Sequence, residues 1–115
     1  MNAPREYRFR LEHILENIEA ISAAVAGKSE ADYRADWMMR SAIERGIEII
    51  SEASRHLLPE IKASAPEIDW RKIAGIGNVL RHEYNRVADD VIYQVATEDL
   101  APLEAVVRRL LSISR

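Results

Sequence analysis

The chain has 115 residues, which is enough for one domain with a single hydrophobic core. Hydrophobic residues make up 48% and charged residues 30%, a composition that excludes an intrinsically disordered chain. The absence of cysteine excludes disulfide bonds and thiolate metal sites, and the net charge of −3 does not by itself suggest a nucleic-acid-binding protein.

The hydrophobic pattern is helical along the whole chain. Apolar residues recur at spacings of three and four, and no alternating pattern typical of strands competes with them. No stretch reaches the roughly 18 apolar residues of a membrane span, and residues 1–8 lack the apolar run of a signal peptide. We therefore expect a soluble, cytoplasmic protein that forms a single helical domain over residues 1–115, with no membrane association.

The first predicted element is a long amphipathic helix. It begins near Pro4 and ends near Gly27, because proline suits a helix start and glycine a helix end. Its apolar stripe consists of Leu11, Ile14, Leu15, Ile18, Ile21 and Val25. Ser29 is then a good N-cap for a short helical turn that carries Tyr33.

The second long helix is predicted from about Asp36, a good N-cap, to Leu58. Its core stripe consists of Met39, Ile43, Gly46, Ile47, Ile50, Ala53, Ser54 and Leu57. Met38, Ala42 and Ile49 form a second, weaker stripe on another face of this helix. A helix with two apolar faces in so small a protein suggests that one of the faces packs on another chain.

Prolines divide the second half of the chain. Pro59 and Pro66 break the pattern and leave room for one short helix between them. Asp69 then caps a third main helix, whose inward positions are Trp70, Ile73, Ile76 and Leu80. A fourth helical region begins near Asp89, and Pro102 is expected to kink or open it. The apolar positions of this region are Val91, Ile92, Val95, Leu100, Leu103, Val106, Val107, Leu110 and Leu111. The predicted fold is an all-α, up-down bundle of four to five helices.

Most candidate chemistry lies in the segment 75–85, which reads Gly-Ile-Gly-Asn-Val-Leu-Arg-His-Glu-Tyr-Asn. His82 is its strongest candidate, since an imidazole can accept and return a proton near neutral pH. The alternative is a histidine that merely bonds a neighbour at a helix end. Asn78 lies one turn earlier and could orient the ring, and Tyr84 adds a phenol.

The same region is locally basic. Between residues 71 and 86 there are four cations, Arg71, Lys72, Arg81 and Arg86, against the one anion Glu83. Such a patch on an acidic protein fits a small phosphate-binding site better than a long nucleic-acid track. The alternative is a solvated helix face.

Two glycines in this helix need an explanation. Gly75 and Gly77 each cost about 1 kcal/mol relative to alanine inside a helix. Small residues at this spacing allow another backbone or a bound phosphate to approach closely. The alternative is that the helix loosens toward its end.

The remaining polar residues are interpreted as structural. Glu44, Glu48 and Glu52 repeat every four residues and alternate with arginines, which predicts a ladder of surface ion pairs on the second helix. His13 lies on the polar side of the first helix, and His56 lies in the last turn of the second, where a cation suits the helix dipole. No spacing typical of metal ligands is present, so we expect neither a metal nor a cofactor.

The chain resembles HepT-like toxins of the HEPN superfamily over nearly its whole length. The similarity lies in residues 11–18 (LEHILENI), 45–53 (RGIEIISEA), 66–75 (PEIDWRKIAG), 78–84 (NVLRHEY) and 91–93 (VIY). This resemblance implies a homodimeric helical bundle that acts as a metal-independent ribonuclease, with its active site where the two subunits meet. It also implies an antitoxin partner, a minimal (MNT-type) nucleotidyltransferase that transfers AMP to a tyrosine.

The signature of the family is an arginine, four to six intervening residues, and a histidine followed by a tyrosine in the form His-x-Tyr. By this resemblance, His82 matches the catalytic histidine, Tyr84 the modified tyrosine, and Asn78 the polar residue after the arginine. The arginine itself does not carry over, because Gly77 stands at its expected position. We therefore expect either a replacement for this arginine or a protein without nuclease activity.

Arg81 is the candidate replacement. Helical side chains lean back over the preceding turn, so its guanidinium would reach toward the space beside Gly77 and hold a phosphate. Arg86 and Lys72 are further candidates for contacts with phosphate or RNA. The expected reaction is attack of the RNA 2′-hydroxyl on the adjacent phosphorus, with His82 carrying the proton. The alternatives are a catalytically degenerate module that binds nucleotides or a partner, and a purely structural helical adaptor.

Overall fold

The computed structural model describes residues 5–83 and 89–113. Over these ranges the chain is helical and contains no strand, which confirms the predicted all-α bundle. The helices are α1 (Arg5–Val25), α2 (Glu30–Ala35), α3 (Trp37–Arg55), α4 (Pro59–Ala63), α5 (Trp70–Glu83), α6 (Asp89–Gln94) and α7 (Leu100–Ile113), and a π-helical turn (Val95–Asp99) joins α6 to α7. None of the described helices is both long and apolar enough to cross a bilayer.

The turn between α1 and α2 follows the local chemistry of the sequence. Gly27 has φ +72°, a left-handed conformation that glycine adopts without steric cost. The Ser29 hydroxyl accepts a hydrogen bond from the Asp32 N–H at 3.1 Å, and the Asp32 carboxylate accepts one from the Ser29 N–H at 2.9 Å. This capping box satisfies two N–H groups at the start of α2, as the predicted cap requires.

Aspartates start the two helices that carry the candidate site. The Asp36 carboxylate accepts a hydrogen bond from the Met39 N–H at 3.0 Å at the start of α3. The Asp69 carboxylate accepts one from the Lys72 N–H at 3.1 Å at the start of α5. Both predicted starts are confirmed, whereas α3 ends at Arg55, slightly before the predicted end.

The core lies between α1, α3 and α7, with α5 packed on the other flank of α3. The least exposed side chains come from the predicted stripes, and each such aliphatic side chain contributes about 1.5–3 kcal/mol through its burial. They are Leu11, Ile14, Ile18, Tyr33, Ile43, Ile47, Ile50, Ile92, Leu103 and Val107.

The helix α4 fills the short interval between the two prolines, as predicted. The indole N–H of Trp70 donates to the carbonyl oxygens of Lys62 and Ala65, both at 3.1 Å. These bonds fasten the start of α5 to the segment that follows α3. As a result α5 returns along the side of α3.

Two features of the last helical region are visible only in the structure. Val91 lies on α6 and is 47% exposed. The helix runs without a break from α6 through the π-helical turn into α7, and Pro102 lies near the start of α7. The distortion expected in this region is present as the π-helical turn shortly before Pro102.

Candidate functional site

Gly77 marks a close contact between α5 and α3. It is buried, and an ideal Cβ placed on it would lie 2.1 Å from Oγ and 2.3 Å from Cβ of Ser51. The Ser51 hydroxyl donates to the carbonyl oxygen of Ala74 at 3.1 Å, so it also ties the two helices together. The prediction of close approach is therefore confirmed for Gly77, and the approaching group is α3.

Gly75 is different. It is exposed, and no described atom lies within 4 Å of the Cβ that it lacks. Packing within the described part of the chain therefore does not account for this glycine.

The contact with α3 leaves no space for a side chain at position 77. A side chain here would point into α3 and overlap the Cβ of Ser51, which the backbone of α3 holds in place. The position that the resemblance assigns to an arginine is thus closed to any side chain in this packing. A guanidinium at this site must come from another residue.

Arg81 lies one turn after Gly77 and leans back over that turn, as predicted. Its Nη1 lies 3.5 Å from Oε1 of Glu52 on α3, and its Nη2 donates to Oδ1 of Asn78 at 3.4 Å. Glu52 directly follows Ser51 along α3, the residue that contacts Gly77. The amide oxygen of Asn78 accepts from Arg81, and the orientation of His82 by Asn78 stays a prediction.

Glu52 joins Arg81 to a second imidazole. Nε2 of His56 lies 3.2 Å from Oε2 of Glu52, while the other carboxylate oxygen faces Arg81. The hydrogen bond from His56 lowers the pKa of Glu52, and the positive charges of His56, Arg55 and Arg81 act in the same direction. We call this group of Arg81, Asn78, Glu52 and His56 the Arg81 cluster.

The expected ladder of surface ion pairs along α3 is present in part. Arg45 and Glu48 form a ladder pair at 3.8 Å. Glu52 is exposed and pairs both along α3, with His56, and with Arg81 on α5. Glu44 is half-buried, and burial raises its pKa.

His82 lies in the last turn of α5, directly after Arg81, and its ring is exposed rather than sealed in the core. It lies one turn after Asn78, so the two residues share a face of α5. The predicted residues Tyr84 and Arg86 lie outside the described residues.

A comparison with known proteins identifies the family. The profile of the family described as "Ribonuclease HepT-like" matches residues 14–110. The chain belongs to the HepT-like family of the HEPN superfamily. This result confirms the resemblance drawn from the sequence segments.

Two relatives of the HepT-like chain illustrate the match. It is 34% identical over 111 residues to "Putative RNase TTE0752" of Caldanaerobacter subterraneus, covering 96% of each chain. It is 32% identical over 106 residues to "Probable ribonuclease HepT" of Thermococcus cleftensis, covering 92% of this chain and 96% of that protein. No solved structure shows significant similarity to this chain.

Lys72 lies apart from the Arg81 cluster of this HepT-like protein. It lines an apolar groove of about 240 Å³ between α5 and the segment 95–103, with Ile76 on one wall and Leu103 on the other. Asp69 and Asp99 also line this groove, and their negative charges oppose the approach of RNA. The structure thus brings Arg81 and Asn78 together and leaves Lys72 in a different environment, in this groove.

Two members of the Arg81 cluster, Glu52 and His56, are not among the candidates that the sequence predicts. Their spacing of four residues was the available signal, because it places both side chains on one face of α3. Within residues 5–83 and 89–113, no three His, Asp or Glu side chains come together as a metal site.

Proposed function

We propose that this HepT-like protein is a metal-independent endoribonuclease in which Arg81 replaces the arginine of the family signature. The observation that carries the proposal is the position of the Arg81 guanidinium. It pairs with Glu52, which follows the Gly77-contacting residue Ser51 on α3, and exposed His82 follows Arg81 in the chain. The names of the two relatives support the ribonuclease activity.

The chemistry follows from these two side chains. The RNA 2′-oxygen attacks the adjacent phosphorus, so the P–O2′ bond forms and the P–O5′ bond breaks. His82 takes the proton of the 2′-hydroxyl, and Arg81 stabilises the charge that develops on the non-bridging oxygens. Arginine has five N–H donors, and the contacts to Glu52 and Asn78 use two of them, which leaves others for a phosphate.

Cleavage of an RNA oligonucleotide in the presence of EDTA tests this proposal. We expect His82→Ala and Arg81→Ala to lower the rate by about 100-fold or more, because each removes one transition-state interaction. Arg81→Lys should retain only part of the activity, since lysine lacks the planar fork. Arg108→Ala is the matched control, because Arg108 pairs with Glu104 and Glu19 on the surface. Cleavage that stays at the wild-type rate in either alanine variant would remove that residue from the mechanism.

We propose further that a second copy of the chain packs on α3. Met38 is 72% exposed, Ala42 is exposed and Ile49 is half-buried, so the second stripe is open in the single chain. The same helix face continues to Glu52 and His56, because positions 38, 42, 49, 52 and 56 follow helical spacing. A homodimer through this face would place the Arg81 cluster at the subunit boundary.

A nucleotidyltransferase antitoxin is the proposed protein partner of this toxin. Its transfer of AMP to Tyr84 would put a bulky anion two residues from His82 along the chain. This partnership rests on the family resemblance and on the position of Tyr84 in the sequence.

The closure of position 77 favours a second candidate function. Because Ser51 leaves no room for the family arginine, the chain could be a module that binds a nucleotide or a partner without cleaving RNA. Induced expression separates the two functions. A growth defect that His82→Ala abolishes supports the ribonuclease, whereas harmless expression together with nucleotide binding supports the module.

A further inference from the structure

His56 is the titratable group that the proposed mechanism does not use. It lies at the C-cap of α3, half-exposed, and its Nε2 lies 3.2 Å from Oε2 of Glu52. The other oxygen of the same carboxylate lies 3.5 Å from Arg81. A single carboxylate therefore separates this imidazole from the guanidinium that is proposed to bind the phosphate.

We propose that His56 is the general acid of the cleavage, positioned by Glu52; this inference rests on the proposed ribonuclease function. Cleavage by the 2′-hydroxyl needs one proton removed from O2′ and another delivered to the departing O5′. His82 accounts for the first transfer only. His56 supplies the second, because it is the other imidazole held next to Arg81.

The carboxylate suits His56 to this role by its geometry. Its bond to Nε2 fixes the ring and leaves Nδ1 as the ring nitrogen for the substrate. The charged groups around this pair are Glu52 and Arg55 on α3 and Arg81 on α5. Glu52 is thus a positioning residue for both the acid and the phosphate ligand.

The proton balance of the step is complete. As the P–O5′ bond breaks, its electron pair goes to O5′, which takes the proton from Nδ1 of His56. The proton from O2′ goes to His82, and the product is a 2′,3′-cyclic phosphate with a free 5′-hydroxyl. A later exchange of protons with water returns both imidazoles to their starting states.

A pair of substrates with different leaving groups tests the role of His56. One is an RNA oligonucleotide that the wild type cleaves, and the other is uridine 3′-(4-nitrophenyl phosphate), whose nitrophenolate leaves without being protonated. We expect His56→Gln to lower the rate on RNA by about 100-fold and to change the rate on the nitrophenyl ester little. His82→Gln should lower both rates, because both reactions need the 2′-proton removed.

The pH profile gives a second readout. A general acid must be protonated, so the wild-type rate on RNA should show a limb that falls with rising pH. This falling limb should be absent in His56→Gln. His13→Gln on α1, whose ring packs against Phe9, is the matched control and should change neither profile nor rate.

The results separate the possible failures. If His56→Gln lowers the cleavage rates of both substrates equally, or does not lower the rate on RNA, the role of His56 is overturned. The proposed ribonuclease function is then unaffected. Wild-type protein that cleaves neither substrate would overturn the proposed function and this inference with it. An unchanged circular dichroism spectrum and melting temperature of His56→Gln show that the variant is folded.

Discussion

Replacing Gly77 by alanine should destabilise the protein, although alanine is the better helix former. The added Cβ would lie 2.3 Å from the Cβ of Ser51, well inside the van der Waals contact of two carbon atoms at about 3.5–4.0 Å. Both atoms are attached directly to helix backbones, so rotation of a side chain cannot relieve the overlap. The helices α3 and α5 must move apart instead.

The expected size of this effect follows from two opposing contributions. Overpacking of a well-packed contact costs about 1–3 kcal/mol, and we place this rigid contact near the upper value. Alanine also stabilises the helix by about 1 kcal/mol relative to glycine, because its helix propensity is higher. We expect a net loss of about 2 kcal/mol in the free energy of unfolding, or about 8 °C in melting temperature for a domain of this size.

A double-mutant cycle with Ser51 tests the reasoning by urea denaturation. Ser51→Gly removes the opposing Cβ, so the variant Ser51→Gly/Gly77→Ala should recover the whole overlap, about 3 kcal/mol relative to the sum of the single changes. Ser51→Ala is the matched control, because it removes the hydroxyl and its bond to Ala74 but keeps the Cβ. Full stability of Gly77→Ala, or equal recovery with Ser51→Ala, would refute the proposed overlap of the two Cβ atoms.

Three further results are expected. Burial and the charge of Asp89 raise the pKa of Glu44. Just above pH 4.5 the folded state therefore binds more protons than the unfolded state, and the free energy of unfolding falls as the pH rises through this range. Glu44→Gln should therefore raise the melting temperature at neutral pH and leave it unchanged below about pH 4. Met38→Glu should reduce the mass in light scattering from twice 13.1 kDa to a single chain, whereas Ala23→Glu on α1 should not. Coexpression with a nucleotidyltransferase should add one adenylyl group to a peptide containing Tyr84, and the group should be absent from Tyr84→Phe.

The helices and the local chemistry of their ends could be predicted from the sequence. Ser29, Asp36 and Asp69 cap helices as expected, and the stripe of α1 lies in the core. These features depend on hydrogen bonds between residues three or four positions apart and on a period of 3.6 residues, both of which a linear sequence displays. The lean of Arg81 back toward Glu52 belongs to the same class, because helix geometry sets the direction of a side chain.

Only the tertiary structure shows which residues of other helices contact these side chains and glycines. Gly75 and Gly77 look alike in the sequence, yet α3 approaches only Gly77, because only that position of α5 faces Ser51. The sequence predicts Glu52 to be part of an ion-pair ladder on α3 and His56 to be a histidine at the end of that helix. In the structure α5 packs along α3, so that Arg81 pairs with Glu52, which also bonds His56. Local spacing determines which residues share a helix face. The partner of that face depends on contacts between residues distant in sequence, which helix periodicity does not specify.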